Sequence, residues 1–384
     1  MANNKNNLPE NEIVDAKKTA SAKALSEGEA VGTQSLLSED VVVAQLPMKE
    51  RISRFLRSQQ GWLFVLPALL LMCLFTFYPI ASAFINSFKQ EYDGLTNTFN
   101  GWGVDNFIRV LKGDTGTGGA SFVQCLTNTM VLTFVSVPVS TFLALFIAVA
   151  LKSIKPLQKA YQTVLFLPYL TNSLAMGAVF LTFFQVIGTQ AQIKNGMAQL
   201  GMVNDLLAWF GVEPINWIKG VTLLTRQDLV WHIGDPTNPI VDIPWTKYTI
   251  MTIYEVWSGL PFKILILFSA LQSVNKQYYD AARIDGANRS TILWKITTPL
   301  ISPMISYLLI TGIMGGMKQY SAVVGVFGAS MGTNYDMGTM VGYIYSYLER
   351  GQTGYAYAGS LLLFIIIMII TLINLRVSKK RVTY

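Results

Sequence analysis

Residues able to do chemistry are few in this 384-residue chain. The single histidine, His232, excludes a multi-histidine metal site, and beside Trp231 in a loop it reads as a surface side chain. The two cysteines, Cys73 and Cys125, lie in apolar runs, which leaves no disulfide framework and no cysteine metal cluster. No Ser/His/Asp or Cys/His constellation occurs, so no metal, no cofactor and no covalent catalysis is expected. No Gly-x-x-x-x-Gly-Lys-Ser/Thr loop occurs either, so the chain should not bind ATP itself. What remains is a pair of charges inside one apolar run, Glu255 and Lys263, and such residues mark a pathway by default. Eight positions separate them, which puts them about 80° apart around an ideal helix. They are not an obvious pair, and Lys318, at the end of the next run, is a candidate partner for Glu255 across the bundle.

The elements that must position these groups follow from the apolar pattern. The chain is 52% hydrophobic and 13% charged, about half the charged fraction of an ordinary soluble domain. That excludes a disordered chain and argues against a water-soluble enzyme. A helix crosses roughly 30 Å of hydrocarbon with about 20 residues. Six runs qualify, near 62–88, 121–151, 161–187, 248–274, 299–323 and 355–375. They are continuous stretches, not the alternating segments of a barrel. The expected fold class is all-α, a polytopic membrane protein with six transmembrane helices in a domain at 58–376, and Pro67, Pro79, Pro138 and Pro168 are expected to kink them. Before it, 1–57 is expected to be a mobile tail, poor in apolar residues over its first forty positions. Lys49, Arg51, Arg54 and Arg57 close that tail either as a basic amphipathic helix at a membrane surface or as a solvated linker. A basic tail follows at 377–384.

Positive charge sorts by side. With the N-terminus inside, the inner segments 1–60, 152–160, 275–298 and 376–384 hold eight, three, four and four of the 29 Lys and Arg. The outer segment 327–354 holds only Arg350. Both termini are therefore expected in the cytoplasm, and the net charge of +7 reflects topology, which removes the reason to invoke nucleic acid.

The inner segment after the fourth run is the most informative. Asp280 lies near the start of a short helix, where an acid complements the dipole. Ala281, Ala282 and Ala287 are small, Tyr278 and Ile284 offer apolar surface, and Gly286 can turn the chain at little steric cost. A helix–Gly–helix element of this kind suits docking into a groove on a cytoplasmic partner. On composition alone an ordinary cytoplasmic loop of helix-forming residues is the favoured reading.

This stretch resembles the EAA loop of permease subunits of bacterial ATP-binding-cassette importers, in which Glu-Ala-Ala is followed by a Gly, an Ile and Leu-Pro at fixed spacing. Asp280 stands for the Glu, while Ala281, Ala282, Gly286, Ile296 and Pro299 match; Thr298 departs from Leu, and Asn275 replaces a Pro usual in the carbohydrate branch. The resemblance runs over 62–376 and is strongest to the larger permeases of maltose and maltodextrin importers. It includes Asn128 and Thr129, 165–169, the outer-loop positions Gly201, Asn204, Leu207, Gly211 and Trp217, and Trp257, Gly259 and Pro261. The family's Gly-Gly-Pro is absent near 329–332.

The resemblance implies the type I importer permease fold and a non-enzymatic subunit of a larger assembly. The partners would be a second, different permease subunit in a heterodimer, two ATP-binding subunits and an extracytoplasmic substrate-binding protein. An EAA coupling loop at 277–298 would engage the ATPase through Asp280, Ala281, Ala282, Ile284, Asp285, Gly286 and Ala287. The substrate pathway would include Tyr169, Ser173, Glu255, Gly259, Gly312, Gly316 and Gln319. Glu255 stands where the maltose branch has Asn, and Gly312 and Gly316 replace Ser and Asn, which points to a sugar other than maltose. Other readings stay open. Glu255 can be a structural ion pair, Tyr169 can pack against the partner permease, and Gly312 with Gly316 can serve close helix packing. The stretch 219–247 is either a contact for the binding protein or an insertion. Polyol, glycerol phosphate or another solute is the alternative cargo. A secondary carrier would need its own ion-coupling residues and commonly shows repeats, of which none is clear.

Overall fold

The computed structural model describes residues 60–381 except 114–119, 155–157, 189–191, 193–194, 196, 213, 219–229, 236–237 and 333–334. The expected tail at 1–57, with its basic segment, and residues 382–384 lie outside the described residues. Gln60–Leu71 falls in a unit apart from the one that begins at Met72.

The first run comprises α1 (Gln60–Met72), a π-helical turn at Cys73–Phe77 and α2 (Tyr78–Ser87). Pro79 has no N–H to give, and its ring would press on a carbonyl one turn back; the wider π turn before it accommodates both. A ribbon of β1 (Lys89–Gln90) and β2 (Gly101–Trp102) leads to α3 (Asp105–Lys112). Then comes α4 (Phe122–Ser153), started by Ser121, whose hydroxyl accepts the Gln124 N–H. Its 32 residues reach about 48 Å, more than the bilayer core requires.

The third run departs from the single helix expected over 161–187. It forms α5 (Gln158–Phe166), a 3-10 turn at Leu167–Leu170 and α6 (Ser173–Phe184), bent by 96°. Pro168 withholds a hydrogen bond, and the Asn172 side chain accepts the Leu174 N–H at 2.9 Å to begin a new helix. After it come the paired β3 (Val186–Ile187) and β4 (Gln199–Leu200), α7 (Met202–Trp209), and an antiparallel hairpin of β5 (Val230–Asp235) and β6 (Asn238–Pro244). The stretch 219–247 thus contains a hairpin, although 219–229, 236–237 and the side-chain reading of His232 lie outside the described residues.

The fourth run is α8 (Trp245–Ser273), continuous despite Pro261. It leads into α9 (Lys276–Ile284), α10 (Arg289–Thr291), a π turn at Ile292–Thr297 and α11 (Thr298–Leu300). The fifth run, expected as one helix over 299–323, breaks twice. Ile301 leaves helical geometry before α12 (Ser302–Gly316), with a bend of 69°, and a turn at 317–320 separates α12 from α13 (Ser321–Phe327). Two further helices follow, α14 (Met340–Glu349) and α15 (Thr353–Arg381), and α14 is a helix the apolar pattern did not announce. Four helices among the described residues are long and apolar enough to cross a membrane, or six spans if each bent pair counts as one.

The helix α4 is the spine. Its residues enter all three buried clusters: Phe122 with Tyr343 and Tyr347, Leu132 with Phe180 and Tyr254, and Ala144 and Ala148 with Leu267 and Leu308. Two hydrogen bonds fix its polarity against α8. Tyr248 donates to Asn128 at 2.5 Å near the two starts, and Lys152 donates to the Leu271 carbonyl at 2.7 Å near the two ends. The two helices therefore run parallel, and the chain between them, with the bent α5–α6 pair, must return across the membrane. Antiparallel to both, α12 brings Gly312 beside Val137 and Gly316 beside Thr133. At the far end of the molecule from α9, Thr353 at the start of α15 donates to the Tyr92 carbonyl just after α2.

Candidate coupling hairpin and translocation pathway

The hairpin is built by three local devices. Asn275 caps α9 by accepting the Gln277 N–H at 3.0 Å. At the other end Gly286 takes φ 74°, and the Ala287 N–H reaches back to the Ala282 carbonyl at 2.9 Å, closing a Schellman-type turn. Asn288 then caps α10 by accepting from the Thr291 N–H at 2.7 Å. The two caps and the turn fix the shape without help from the bundle. Ala282 is the buried anchor, whereas Ala281, Ile284, Asp285 and Gly286 are exposed, with Ile284 at 87%. Asp280 sits 3.8 Å from Arg283 at the surface, and Ala287 is half-buried.

The hairpin is also bolted to the bundle. The Lys152 ammonium, which ends α4 and holds Leu271 of α8, lies 4.7 Å from the centre of the Tyr279 ring. Thr297 places its hydroxyl 3.5 Å from that of Tyr279. One lysine thus joins the ends of two spans to α9. Composition did not single out Lys152 or Tyr279; the aromatic in the first turn of α9 was their only signal.

The positions expected along the pathway do not form one cluster. Tyr169, in the 3-10 turn, stacks on Phe262 of α8 at 5.8 Å and is half exposed. Ser173 opens α6, and its carbonyl accepts the Tyr254 hydroxyl at 3.0 Å. On α8, Glu255 accepts from the Ser136 hydroxyl at 2.6 Å, and Gly259 faces Ser140 and Lys263. Gly312 and Gly316 face α4: a Cβ at Gly312 would lie 2.8 Å from a Val137 methyl, and one at Gly316 would lie 2.7 Å from the Thr133 hydroxyl oxygen. That geometry is close helix packing. Gln319 lies in the turn after α12, beside Glu255.

Glu255 does not pair with Lys318, which is exposed; the cation acting on it is Lys263 of its own helix. The two charges are linked through α4. Lys263 donates to the Ser140 hydroxyl and to the Val137 carbonyl at 3.2 Å, Ser140 donates to the Ser136 carbonyl at 2.6 Å, and Ser136 donates to Glu255. Two turns of α8 rise about 12 Å and one turn of α4 about 6 Å, so the long side chains lean toward adjacent serines. Among the described residues the Thr133 hydroxyl is buried without a hydrogen-bond partner, and the second carboxylate oxygen of Glu255, with the Gln319 side chain nearby, lies outside normal hydrogen-bond geometry.

A second polar cluster, at the opposite end of α4 from the hairpin, escaped the sequence reading. The side chains of Gln124 and Asn128 donate to the Asp336 carbonyl, at 3.2 and 2.9 Å, and Asn128 also donates to Gly338 at 2.8 Å. Lys247, buried at the start of α8, forms an ion pair with Asp336. These contacts seat the loop between α13 and α14 on the bundle.

Residues 140–383 match the family described as binding-protein-dependent transport system inner membrane component. The chain belongs to this family. Membership makes it a multi-pass inner-membrane component, in keeping with the spans above. Among its relatives, the arabinooligosaccharides transport system permease protein AraP of Bacillus subtilis is 28% identical over 322 residues, covering 83% of this chain and 88% of AraP. The lactose transport system permease protein LacF of Rhizobium radiobacter is 26% identical over 313 residues, 81% of this chain and 91% of LacF. Among solved structures, a bacterial ABC transporter involved in the import of the acidic polysaccharide alginate aligns with TM-score 0.66 and 18% identity, over 87% of this chain and all of that one. The shared fold is the type I importer permease fold, with helices α4, α8 and α12 as its packed centre.

Proposed function

We propose that this inner-membrane component is a permease subunit of an ATP-binding-cassette importer that translocates a carbohydrate, an oligosaccharide, and that ATP is hydrolysed by a partner. The observation that carries this reading is the hairpin at Gly286: a preformed helix–turn–helix with an exposed apolar tip, bolted through Lys152 and Tyr279 to the ends of α4 and α8. A partner that moves the tip pulls on both spans through these contacts. The names of the relatives, which concern oligosaccharides and lactose, support the carbohydrate reading.

In this reading both termini are cytoplasmic and the hairpin lies inside. Asp280, Ala281, Ala282, Ile284, Asp285, Gly286 and Ala287 form the surface that engages one of two ATP-binding subunits. A second, different permease completes the pore, and an extracytoplasmic binding protein delivers the sugar to the opposite face. Tyr169 supplies an aromatic face for a sugar ring. Ser173, Glu255 and Gln319 supply hydrogen-bonding groups, and Gly259 keeps the wall between them open. Gly312 and Gly316 hold α12 against α4 so that Gln319 reaches Glu255. Affinity purification of the tagged chain from its native membrane should bring down an ATPase and a second permease, and the reconstituted assembly should take up labelled oligosaccharides only with ATP and the binding protein. Uptake without an ATPase would overturn the reading.

A further inference from the structure

We infer that α7 is an interfacial helix that rests an apolar stripe in the lipid headgroup layer, on the membrane face opposite the hairpin. Four observations converge on it. First, α7 is fixed in place. A Cβ at Gly201, just before it, would meet the Phe183 carbonyl oxygen at 2.5 Å, so the start of α7 is seated on the last turn of α6. The fully buried Asn204 then ties α7 to the chain beyond it: its amide donates to the Ile215 carbonyl at 3.0 Å, and its oxygen accepts from the Ile215 N–H and the Trp217 indole, each at 3.1 Å. Trp217 in turn packs edge-on against Phe184 at 5.5 Å.

Second, the side of α7 turned away from Asn204 is apolar and bare. Met202, Leu206, Trp209 and Phe210 are 62, 54, 83 and 73% exposed, and on a helix they fall within about 100° of arc. Asp205 sits at one rim of that stripe. Third, the stripe borders the end of a spanning segment, since Met202 and Asp205 share a groove with Thr182 and Phe183 of α6 and with Ile187 of β3. Fourth, α7 lies at the level where a membrane ends. Gly201 holds its start against the last turn of α6, and Phe184 in that turn clusters with Tyr248 at the start of α8, a full span away from α9.

An aromatic pair at the end of a span is what the boundary between headgroups and acyl chains accommodates. With Met202–Trp209 carrying no Lys or Arg, attachment comes from apolar burial, so it should not depend on anionic lipid or salt. Fixed at that depth, α7 gives the outer end of α6 a footing while the bend at Pro168 flexes. This inference rests on membership of the inner-membrane family and not on the identity of the cargo.

The test uses the full chain with its partners in phosphatidylcholine nanodiscs. Cys73 is exposed and is replaced by Ser, whereas the buried Cys125 is retained. Spin labels are placed one at a time through L206C, W209C and, at the rim, D205C. Labels at 206 and 209 should relax more with dissolved oxygen than with a water-soluble nickel chelate, the order should reverse at 205, and adding anionic lipid should change neither. Independently, brominated phosphatidylcholine should quench the unlabelled chain more than its W209F variant. Chelate-dominated relaxation at 209, or protection that appears only when the binding protein is added, would overturn the inference, the latter marking a protein-docking face.

Discussion

Gly286 has φ 74° and open space where a Cβ would stand, so its substitutions separate backbone strain from blocked docking. An alanine there pays the left-handed penalty of about 1–2 kcal/mol, while asparagine tolerates that conformation far better. G286N should retain most ATP-driven uptake and G286A less. G286W should abolish uptake and uncouple the ATPase, because its ring occupies the space a partner needs; vesicle uptake beside ATPase rate separates the three. Normal transport by G286W would sink the coupling role. Lys263 poses a different residue-scale problem. Its ammonium is buried and its partners are a hydroxyl and a carbonyl, so K263M takes a donor from Ser140, which keeps its own bond to the Ser136 carbonyl, and takes away the cation acting on the buried Glu255. A buried polar group left unmatched costs about 1–3 kcal/mol. K263M should therefore lower unfolding stability by about that much, and the K263M/E255Q double variant should recover part of it. Strict additivity in that cycle would mean the ladder through Ser136 and Ser140 couples nothing.

Among the elements, α6 and α13 touch backbone to backbone. A Cβ on Gly325 would fall 2.5 Å from the Leu174 carbonyl oxygen, and one on Gly177 would fall 2.7 Å from the Gly325 Cα. G325L should force the two apart at a cost of about 1–3 kcal/mol, read as a lower melting temperature of the purified assembly, whereas the same change at the open Gly315 should be nearly silent. What could be read in advance divides along these elements. The runs that became α4, α8 and α15 were legible because apolar length suffices to specify them, and the α9 turn was legible because Gly286 carries its geometry with it, whereas the caps at Asn275 and Asn288 emerged only from the structure. The third run was misread as one helix because its break requires Pro168 and the Asn172 side chain together, and the fifth because its breaker, Pro303 in the first turn of α12, sits inside an apolar run that was read by its length. The pairs Lys247–Asp336 and Lys263–Ser140 were illegible: they join residues 89 and 123 positions apart, and no local spacing encodes that.

At the scale of the whole molecule, the number of crossings follows from helix polarity rather than from helix length. Because α4 and α8 run parallel, tied at Asn128–Tyr248 and at Lys152–Leu271, the bent α5–α6 pair is a crossing and not a re-entrant loop. The ribbon loop after α2 meets the start of α15 through Thr353 and Tyr92, which places that loop at the Trp245 end of α8, while α9 leaves from the Ser273 end. Opposite ends of parallel spans face opposite compartments, so Leu95 in the ribbon loop and Ile284 in the hairpin, 91 and 87% exposed, must lie on different sides. In the proposed reading the concentration of Lys and Arg beside the hairpin puts it on the cytoplasmic side. In a chain with Cys73 replaced by Ser, a membrane-impermeant thiol reagent added to intact cells should label L95C and spare I284C, and inverted vesicles should reverse the pattern. Labelling of both from one side would break the crossing count, and the reverse pattern would put the hairpin out of reach of any cytoplasmic ATPase.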